Sequence, residues 1–263
     1  MPVHDFIAAG MESENEEEFE NWLADFGYKN SFKNWSVRYN GISEIASTSF
    51  NTVQGYNFNT GFSYNKWNED NGKNTSIRST FNYGLSDKRL RVSGNFFHRF
   101  NRQNFANISV SGGNEISQFN EQEPISKLVN SVSTLFFKDN YMKLYDKKFA
   151  KITYGQEITN GLYSSIGLNY EKRKPVFNTT DYTIIKNDDL YTSNNPLQPY
   201  NFTSTPFNEH HIIKANLSAR IRFGQKYISR PDGKITMGNG DYPTIFMKYE
   251  KAFSATNDNY TYD

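Results

Sequence analysis

Long runs in which apolar and polar residues alternate are the feature that most constrains the fold of this chain. In the segment 56–64, Tyr56, Phe58, Phe62 and Tyr64 are separated by asparagine, threonine, glycine and serine. Successive side chains of a β-strand point to opposite faces, so the pattern predicts a strand with one apolar and one polar face. Soluble strands usually have about five or six residues, whereas a tilted strand that crosses a bilayer needs about nine to eleven. The length of the runs therefore favours membrane-spanning strands.

The composition is compatible with the wall of a membrane barrel. Hydrophobic residues make up 36% of the chain and aromatic residues 16%. Only alternate residues of a barrel strand need to be apolar, and Tyr and Trp favour the membrane–water interface. No apolar stretch approaches the length of about 18 residues that a transmembrane helix requires. The net charge of +1 argues against a nucleic-acid partner, and the absence of cysteine excludes disulfides and thiolate metal sites.

The alternating runs predict an all-β fold: an antiparallel up-and-down transmembrane β-barrel of about nine or ten strands. The clearest run covers 213–223, where Ile213 and Leu217 alternate with Lys214 and Arg220. We expect the barrel segment to occupy 31–263 and not necessarily to close by itself.

Three segments interrupt the pattern. Residues 1–30 are acidic and predict a connector or a short amphipathic helix. Residues 114–148 place apolar side chains at helical spacing after Pro124, which predicts an insertion with one or two short helices. Residues 172–209 are polar and predict a long extracellular loop, because the long loops of outer-membrane barrels lie outside the cell.

Several short motifs occur in the order seen in a known family. They are Gln118-Phe119-Asn120, Glu123-Pro124-Ile125, Asn140 to Tyr145, Asn160 to Tyr163, Arg173-Lys174-Pro175, Asn178 to Tyr182 and Gly224 to Pro231. Over about 30–255 the chain resembles an outer-membrane β-barrel family of unknown function from Bacteroidetes, the carboxypeptidase-like regulatory domain-containing proteins. The resemblance implies an integral protein of the Gram-negative outer membrane, with no established reaction. It also implies a fragment, because this sequence shows neither the family's N-terminal sandwich nor a signal peptide.

Basic side chains recur on the polar faces of the predicted strands. If the apolar faces contact lipid, a basic set lines the lumen: Arg78, Arg89, Arg91, Arg99, Lys214, Arg220, Arg222 and Lys248. Arg and Lys in a pore favour anions, so the set predicts an anion-preferring lumen or a site for an acidic ligand. The alternatives are an ion-pair ladder with Glu157, Glu171 and Glu250, or an acidic plug.

The start of the predicted 172–209 loop offers ligand contacts. Lys172, Arg173 and Lys174 could bind phosphate or lipopolysaccharide, or form a solvated cluster at the membrane edge. Tyr182 and Tyr191 could stack on sugars, or pack the loop onto the rim. The partners that we expect are outer-membrane lipid or lipopolysaccharide, an anionic solute, or another envelope protein.

The sequence contains no nucleophile elbow, P-loop or Rossmann fingerprint, so we expect no catalytic residue, cofactor or metal. The predicted function is that of a non-enzymatic outer-membrane barrel protein in anionic-solute transport or in surface or envelope assembly. One alternative is a soluble β-sandwich binding module, which would have shorter strands and aliphatic faces. Another is an outer-membrane hydrolase, which would need a Ser/His pair at the rim.

Overall fold

Over the residues that the structure describes, the fold is all-β with one helix. A computed structural model describes residues 26–41, 48–68, 72–120, 122–185, 189–230, 233–237 and 242–254. The strands are β1 (Phe26–Asn30), β2 (Trp35–Tyr39), β3 (Thr48–Asn51), β4 (Gly55–Trp67), β5 (Asn74–Gly84), β6 (Leu90–Arg99), β7 (Asn107–Gln118), β8 (Leu144–Thr159), β9 (Leu162–Pro175), β10 (His210–Arg222), β11 (Tyr227–Arg230), β12 (Gly233–Thr236) and β13 (Thr244–Ser254), and helix α1 covers Lys127–Phe137.

Eleven strands form one antiparallel sheet in which strands adjacent in sequence are mostly adjacent in space. The order is β1-β2-β4-β5-β6-β7-β8-β9-β10-β13, with β3 paired to β4, and β11 and β12 form a separate hairpin. The predicted all-β class and antiparallel up-and-down order are confirmed. The sheet path ends at β1 and β13, and within the described residues no pairing between these two strands closes it.

The long strands continue through positions that the sequence predicts as breaks. Strand β7 extends through Gly112 and Gly113 to Gln118. The predicted helical insertion at 114–148 is therefore too long, because 114–118 belong to β7 and 144–148 belong to β8. Glu115 and Lys147 are register partners there and form an ion pair at 2.7 Å. Only α1, between these strands, confirms the helical part of the prediction.

Two other predicted boundaries are also wrong. Residues 26–30 form β1, so the predicted connector ends as a paired strand, and residues 1–25 lie outside the described part of the chain. Residues 172–175 belong to β9, so the loop, which we call the 176–209 loop, begins at residue 176, and its described residues are 176–185 and 189–209. Cross-strand pairing of β9 with β8 as far as Pro175 extends the strand into the polar sequence.

Helix α1 and the 176–209 loop cover one end of the sheet, which we call the helix end. The side chain of Ser126 caps α1 by accepting from the backbone N–H of Val129 at 3.2 Å. Buried Asn130 then joins two other segments: its side chain donates to Phe50 O at 3.1 Å and accepts from Met142 N at 3.1 Å. The opposite end carries the β11–β12 hairpin, and we call it the hairpin end.

The two faces of the sheet show a burial pattern opposite to that of a soluble domain. On the polar face, Asn57 is 1% exposed and Lys214 is 9% exposed. On the apolar face, Leu168 is 55% exposed and Tyr249 is 64% exposed. The buried hydrophobic cluster is small and lies at the helix end, around Val53, Met142 and Leu144. The sheet therefore encloses polar groups and presents apolar ones.

Candidate functional site

The register places most of the predicted basic set on the polar face. These residues are Arg78, Arg91, Arg99, Lys214, Arg220, Arg222 and Lys248. Arg89 precedes β6 and lies exposed at the helix end. They do not form one ring, because they separate into groups that line different cavities. Arg78 faces Ser63 and Asn95 in the register and lines none of the three cavities described next.

The first group lines a cavity of about 370 Å³ on the polar face of β7 to β10 and β13, which we call the interior cavity. Its charged residues are Lys147, Lys151, Lys214, Lys248, Glu123, Glu171 and Glu250. Lys214 and Lys248 lie 3.6 Å and 3.2 Å from the carboxylate of Glu250. Two of the three acids expected to balance the lumen are therefore here, but basic residues remain in excess.

The second group lines a cavity of about 440 Å³ at the hairpin end, the hairpin-end cavity. Its lining includes Glu157 and three arginines: Arg99, Arg220 and Arg222. Lys234 of β12 reaches into this end of the sheet and lies 2.5 Å from the Glu157 carboxylate. The β11–β12 hairpin thus supplies the direct counter-ion of the third expected acid.

The third group forms a cleft of about 390 Å³ at the helix end, which we call the basic cleft. Its cations are Arg89, Arg91, Lys147, Lys148, Lys172 and Lys174, and its acids are Asp146 and Glu209. Lys172 lies 2.5 Å from one carboxylate oxygen of Glu209, and Lys174 lies 4.0 Å from the other. The Lys172 hydrogen bond and charge hold the pKa of Glu209 below its ordinary value.

Arg91 is the buried member of the basic cleft, at 2% exposure. Its Nη2 lies 2.7 Å from Asp87 and 2.7 Å from Asp146, and its Nε donates to Asp146 at 2.8 Å. Arg89 lies 2.7 Å from the other oxygen of Asp146. The Nη1 atom of Arg91 is buried with no hydrogen-bond partner among the residues that the structure describes.

The predicted Lys172-Arg173-Lys174 cluster is divided by strand alternation. Lys172 and Lys174 line the basic cleft, whereas Arg173 turns to the polar face and donates from Nε to Glu171 at 2.8 Å. The guanidinium of Arg173 also lies 5.3 Å from the ring centre of Tyr145. The three residues therefore do not act as one cluster.

The two predicted loop tyrosines have different surroundings. Tyr191 is buried, and its hydroxyl donates to the carbonyls of Thr134 and Tyr182 at 2.8 Å each. Burial raises its pKa to about 12. Tyr182 is half exposed, and its ring lies about 6 Å from those of Phe50 and Tyr56. Tyr191 thus anchors the loop to α1, and Tyr182 packs it onto the rim.

The sequence reasoning missed the residues that assemble the basic cleft across the sheet. Asp87, Asp146, Lys147 and Lys148 carry no motif, and Asp146 is far from Arg91 in sequence. The alternation itself carries a signal for this cleft. In a strand β8 that begins at residue 144, Lys148 lies on the same face of the sheet as Lys172.

The fold and these cavities define an all-β protein with one long antiparallel sheet, a basic polar face and an exposed apolar face. Residues 20–263 match the C-terminal domain of a family of unknown function, DUF5686, and the chain belongs to this family. No curated protein and no solved structure matches the chain. In the described ranges, no helix is both long and apolar enough to span a membrane, and no cluster of His, Asp and Glu could hold a metal ion.

Proposed function

We propose that this chain is the membrane-embedded β-barrel part of an integral outer-membrane protein of a Gram-negative bacterium, with a non-enzymatic role. The observation that supports the proposal is the burial pattern of the sheet, with apolar side chains exposed and charged ones buried. Exposed apolar area costs about 25 cal/mol per Å² in water, and contiguous exposed patches mark contacts with a partner or membrane. Lipid contact would remove this cost over the whole face at once.

The length of the strands supports a bilayer as the partner of this face. Strands β4 to β10 have 10 to 16 residues, and a tilted strand needs about nine to eleven to cross the hydrocarbon. On β7 to β10 the apolar rows end at a polar row formed by Asn114, Lys148, Lys172 and His211. Tyr170 lies one row inside this limit, where an aromatic residue fits a membrane interface.

Barrel closure is part of the proposal, for a physical reason. An open strand edge in lipid leaves backbone N–H and C=O groups without partners, at several kcal/mol each. Strands β1 and β13 form the two edges of the described sheet. In the membrane we expect each edge to be paired, either with the other edge or with a further strand.

For the role inside the envelope we propose passage or binding of an anionic solute on the polar face. The interior carboxylates are engaged by nearby cations, as Glu157 is by Lys234 and Glu250 is by Lys214. Arg99, Arg220 and Arg222 remain as further cations around the hairpin-end cavity. Such a surplus favours anions in a narrow aqueous space. Surface or envelope assembly is the alternative role if the interior does not conduct.

The experiment that tests membrane embedding uses the full chain folded in detergent and in phosphatidylcholine vesicles. Trp35 lies on the apolar face beside Tyr64, with ring centres 6.2 Å apart. In a variant that keeps Trp35 as its only tryptophan, we expect fluorescence quenching by lipids brominated along the acyl chain. A mobility shift on boiling in SDS gels would further indicate a closed barrel. A stable monomer in plain buffer, without quenching, would overturn the proposal.

The same experiment tests the soluble-sandwich alternative, whereas the hydrolase alternative depends on side-chain geometry. A soluble sandwich would need two packed sheets, whereas the described long strands form one sheet. A hydrolase would need a nucleophile with a base. The described residues include two hydroxyl–imidazole pairs: Tyr170 Oη lies 2.5 Å from His211 Nδ1, and Thr75 Oγ1 lies 2.9 Å from His98 Nδ1. The ring of His98 is stacked between Phe96 and Phe100 on the apolar face. Under the membrane proposal the pair of Thr75 and His98 faces lipid rather than an aqueous substrate.

A further inference from the structure

Strands β6 and β7 separate before they reach the helix end of the sheet. Their pairing stops at Ser93 and Gly113, although β6 begins at Leu90 and β7 continues to Gln118. Gly113 has φ +141°, and a Cβ at this position would lie 2.3 Å from Val92 O. The glycine thus allows a close approach followed by divergence. We call the gap between residues 90–92 and 114–118 the fork.

Polar side chains fill the fork in place of the missing backbone pairs. Val92 N donates to the side-chain oxygen of Asn114 at 2.7 Å. Arg91 and Asn114 line both the basic cleft and a second cavity of about 260 Å³ on the polar face. Arg91, whose buried Nη1 has no hydrogen-bond partner among the described residues, is therefore common to the linings of both cavities.

The cations of the basic cleft exceed the acids that could neutralise them. Six cations and two acids line it. Two further acids pair with these cations: Asp87 with Arg91 and Glu115 with Lys147. When both acids are counted, an excess of two cations remains. Lys148 and Lys172 are direct register partners on β8 and β9. Like charges in this arrangement destabilise a sheet, and an anion held between them would reverse the effect.

We propose that the basic cleft binds a phosphate group. Phosphate oxygens accept charge-assisted hydrogen bonds from guanidinium and ammonium groups. Lys148 and Lys172 would bind the phosphate from β8 and β9, and Arg89 and Arg91 would bind it from the β6 side. The buried Nη1 of Arg91 supplies a donor that the described protein leaves unused.

The surface next to the cleft indicates that this phosphate belongs to a lipid head group, an assignment that rests on the proposed membrane location. On the same sheet face, the row next to Asn114 and Lys148 holds small residues: Gly94, Gly112 and Ala150. The row after it holds half-exposed apolar residues: Phe96, Val110 and Ile152. The rows are about 7 Å apart. A lipid whose phosphate binds in the cleft would therefore lay its acyl chains on an apolar surface.

The test measures binding to the full chain folded in a neutral detergent. The probes are dioctanoyl phosphatidic acid, inorganic phosphate and dioctanoylglycerol, which has the same chains without the phosphate. We expect phosphatidic acid to bind at least about tenfold more tightly than inorganic phosphate, with binding that weakens as salt rises. Dioctanoylglycerol should not compete for the site.

A double variant, Lys148→Gln with Lys172→Gln, should bind phosphatidic acid about tenfold or more weakly, because two charged contacts are lost. Both side chains are on the surface, so the fold should survive. Lys226→Gln, an exposed lysine at the hairpin end, is the matched control and should bind normally. Arg91→Lys tests the role of the Arg91 guanidinium at the fork, because it keeps the positive charge and removes the planar group of N–H donors.

The outcomes separate this inference from the membrane proposal. Equal affinity for phosphatidic acid and inorganic phosphate, lost in the double variant, would support the phosphate site and assign free phosphate as its ligand. Binding that the double variant leaves unchanged, or binding of dioctanoylglycerol as tight as that of phosphatidic acid, would overturn the site. If brominated lipid quenches the Trp35 fluorescence but the chain binds no phosphate, this inference is overturned and the membrane proposal stands.

Discussion

The side chain of Asn194 pairs with both backbone polar groups of Leu144, in the manner of a neighbouring strand. Its oxygen accepts from Leu144 N at 2.9 Å, and its nitrogen donates to Leu144 O at 2.6 Å. The same nitrogen also donates to Val176 O at 2.6 Å. One buried carboxamide therefore ties the start of β8 and the end of β9 to the middle of the 176–209 loop.

Removal of this carboxamide should loosen the loop. Asn194→Ala leaves buried backbone groups without partners, so we expect the free energy of unfolding to fall by about 2–4 kcal/mol. Protease cleavage within 176–209 should become faster, and the melting temperature in detergent should fall. Asn208→Ala, at an exposed position of the same loop, should change stability by no more than about 0.5 kcal/mol. Equal cleavage of both variants would show that Asn194 does not hold the loop.

Adjacent residues of β10 provide a matched test of the two faces. Leu217 is half exposed on the apolar face, and Asn216 lies on the polar face opposite Glu250. If the apolar face contacts lipid, Leu217→Lys should cost about 2–4 kcal/mol near the middle of the bilayer. Asn216→Lys gains an opposite charge across the strand pair and should cost little. Denaturant unfolding from vesicles measures both. If the apolar face contacted water instead, Leu217→Lys would not be the more destabilising variant, because lysine is tolerated at an exposed site.

Lys143 gives the helix end a pH dependence. Its ammonium donates to Thr192 Oγ1 at 2.7 Å and to Ser193 O at 2.8 Å. Burial lowers the pKa of Lys143 from its ordinary value of 10.5 to about 8. At pH values between these two pKa values, the unfolded chain binds more protons than the folded chain. The free energy of unfolding should therefore rise as pH increases from 8 to 10.5. Below pH 8 both states are charged, and the penalty of burial is constant.

The comparison that isolates this effect is Lys143→Met against the unchanged chain. Thermal denaturation across that pH window should show a rise in stability that the variant lacks. Lys127→Met, at an exposed position of α1, is the control and should retain the rise. The same slope in all three proteins would mean that Lys143 is charged throughout the window.

Alternation was enough to predict the long strands and the faces of their residues, because successive side chains of a strand point to opposite faces of the sheet. It predicted Arg220 and Lys214 on the polar face, where the register has them. It failed where local spacing favoured another structure. Tyr141, Leu144 and Tyr145 have helical spacing, but pairing with β7 makes residues 144 and 145 part of β8.

The candidate sites were less predictable than the strands, because they depend on contacts between distant segments. The network around Arg91 joins Asp87, in the preceding turn, to Asp146 on β8, and no sequence motif links these residues. The fork depends on where the pairing of two strands stops. The Gly112-Gly113 pair indicates only that the backbone is unusual there, and it does not show where the pairing of the two strands stops.

The contact between Lys234 and Glu157 should control the hairpin end of the interior. Lys234 lies 2.5 Å from Glu157 and 4.4 Å from the ring centre of Tyr227, and Glu157 also accepts from Gly161 N at 3.0 Å. Lys234→Gln removes the positive charge, so the hairpin should be held less firmly and Glu157 should lose its counter-ion. If the interior conducts, single-channel current should increase, and the reversal potential in a salt gradient should shift toward weaker anion preference. Lys226→Gln, which leaves the Glu157 contact intact, should match the unchanged chain. Identical current and reversal potential in all three would show that the hairpin does not limit the path of ions.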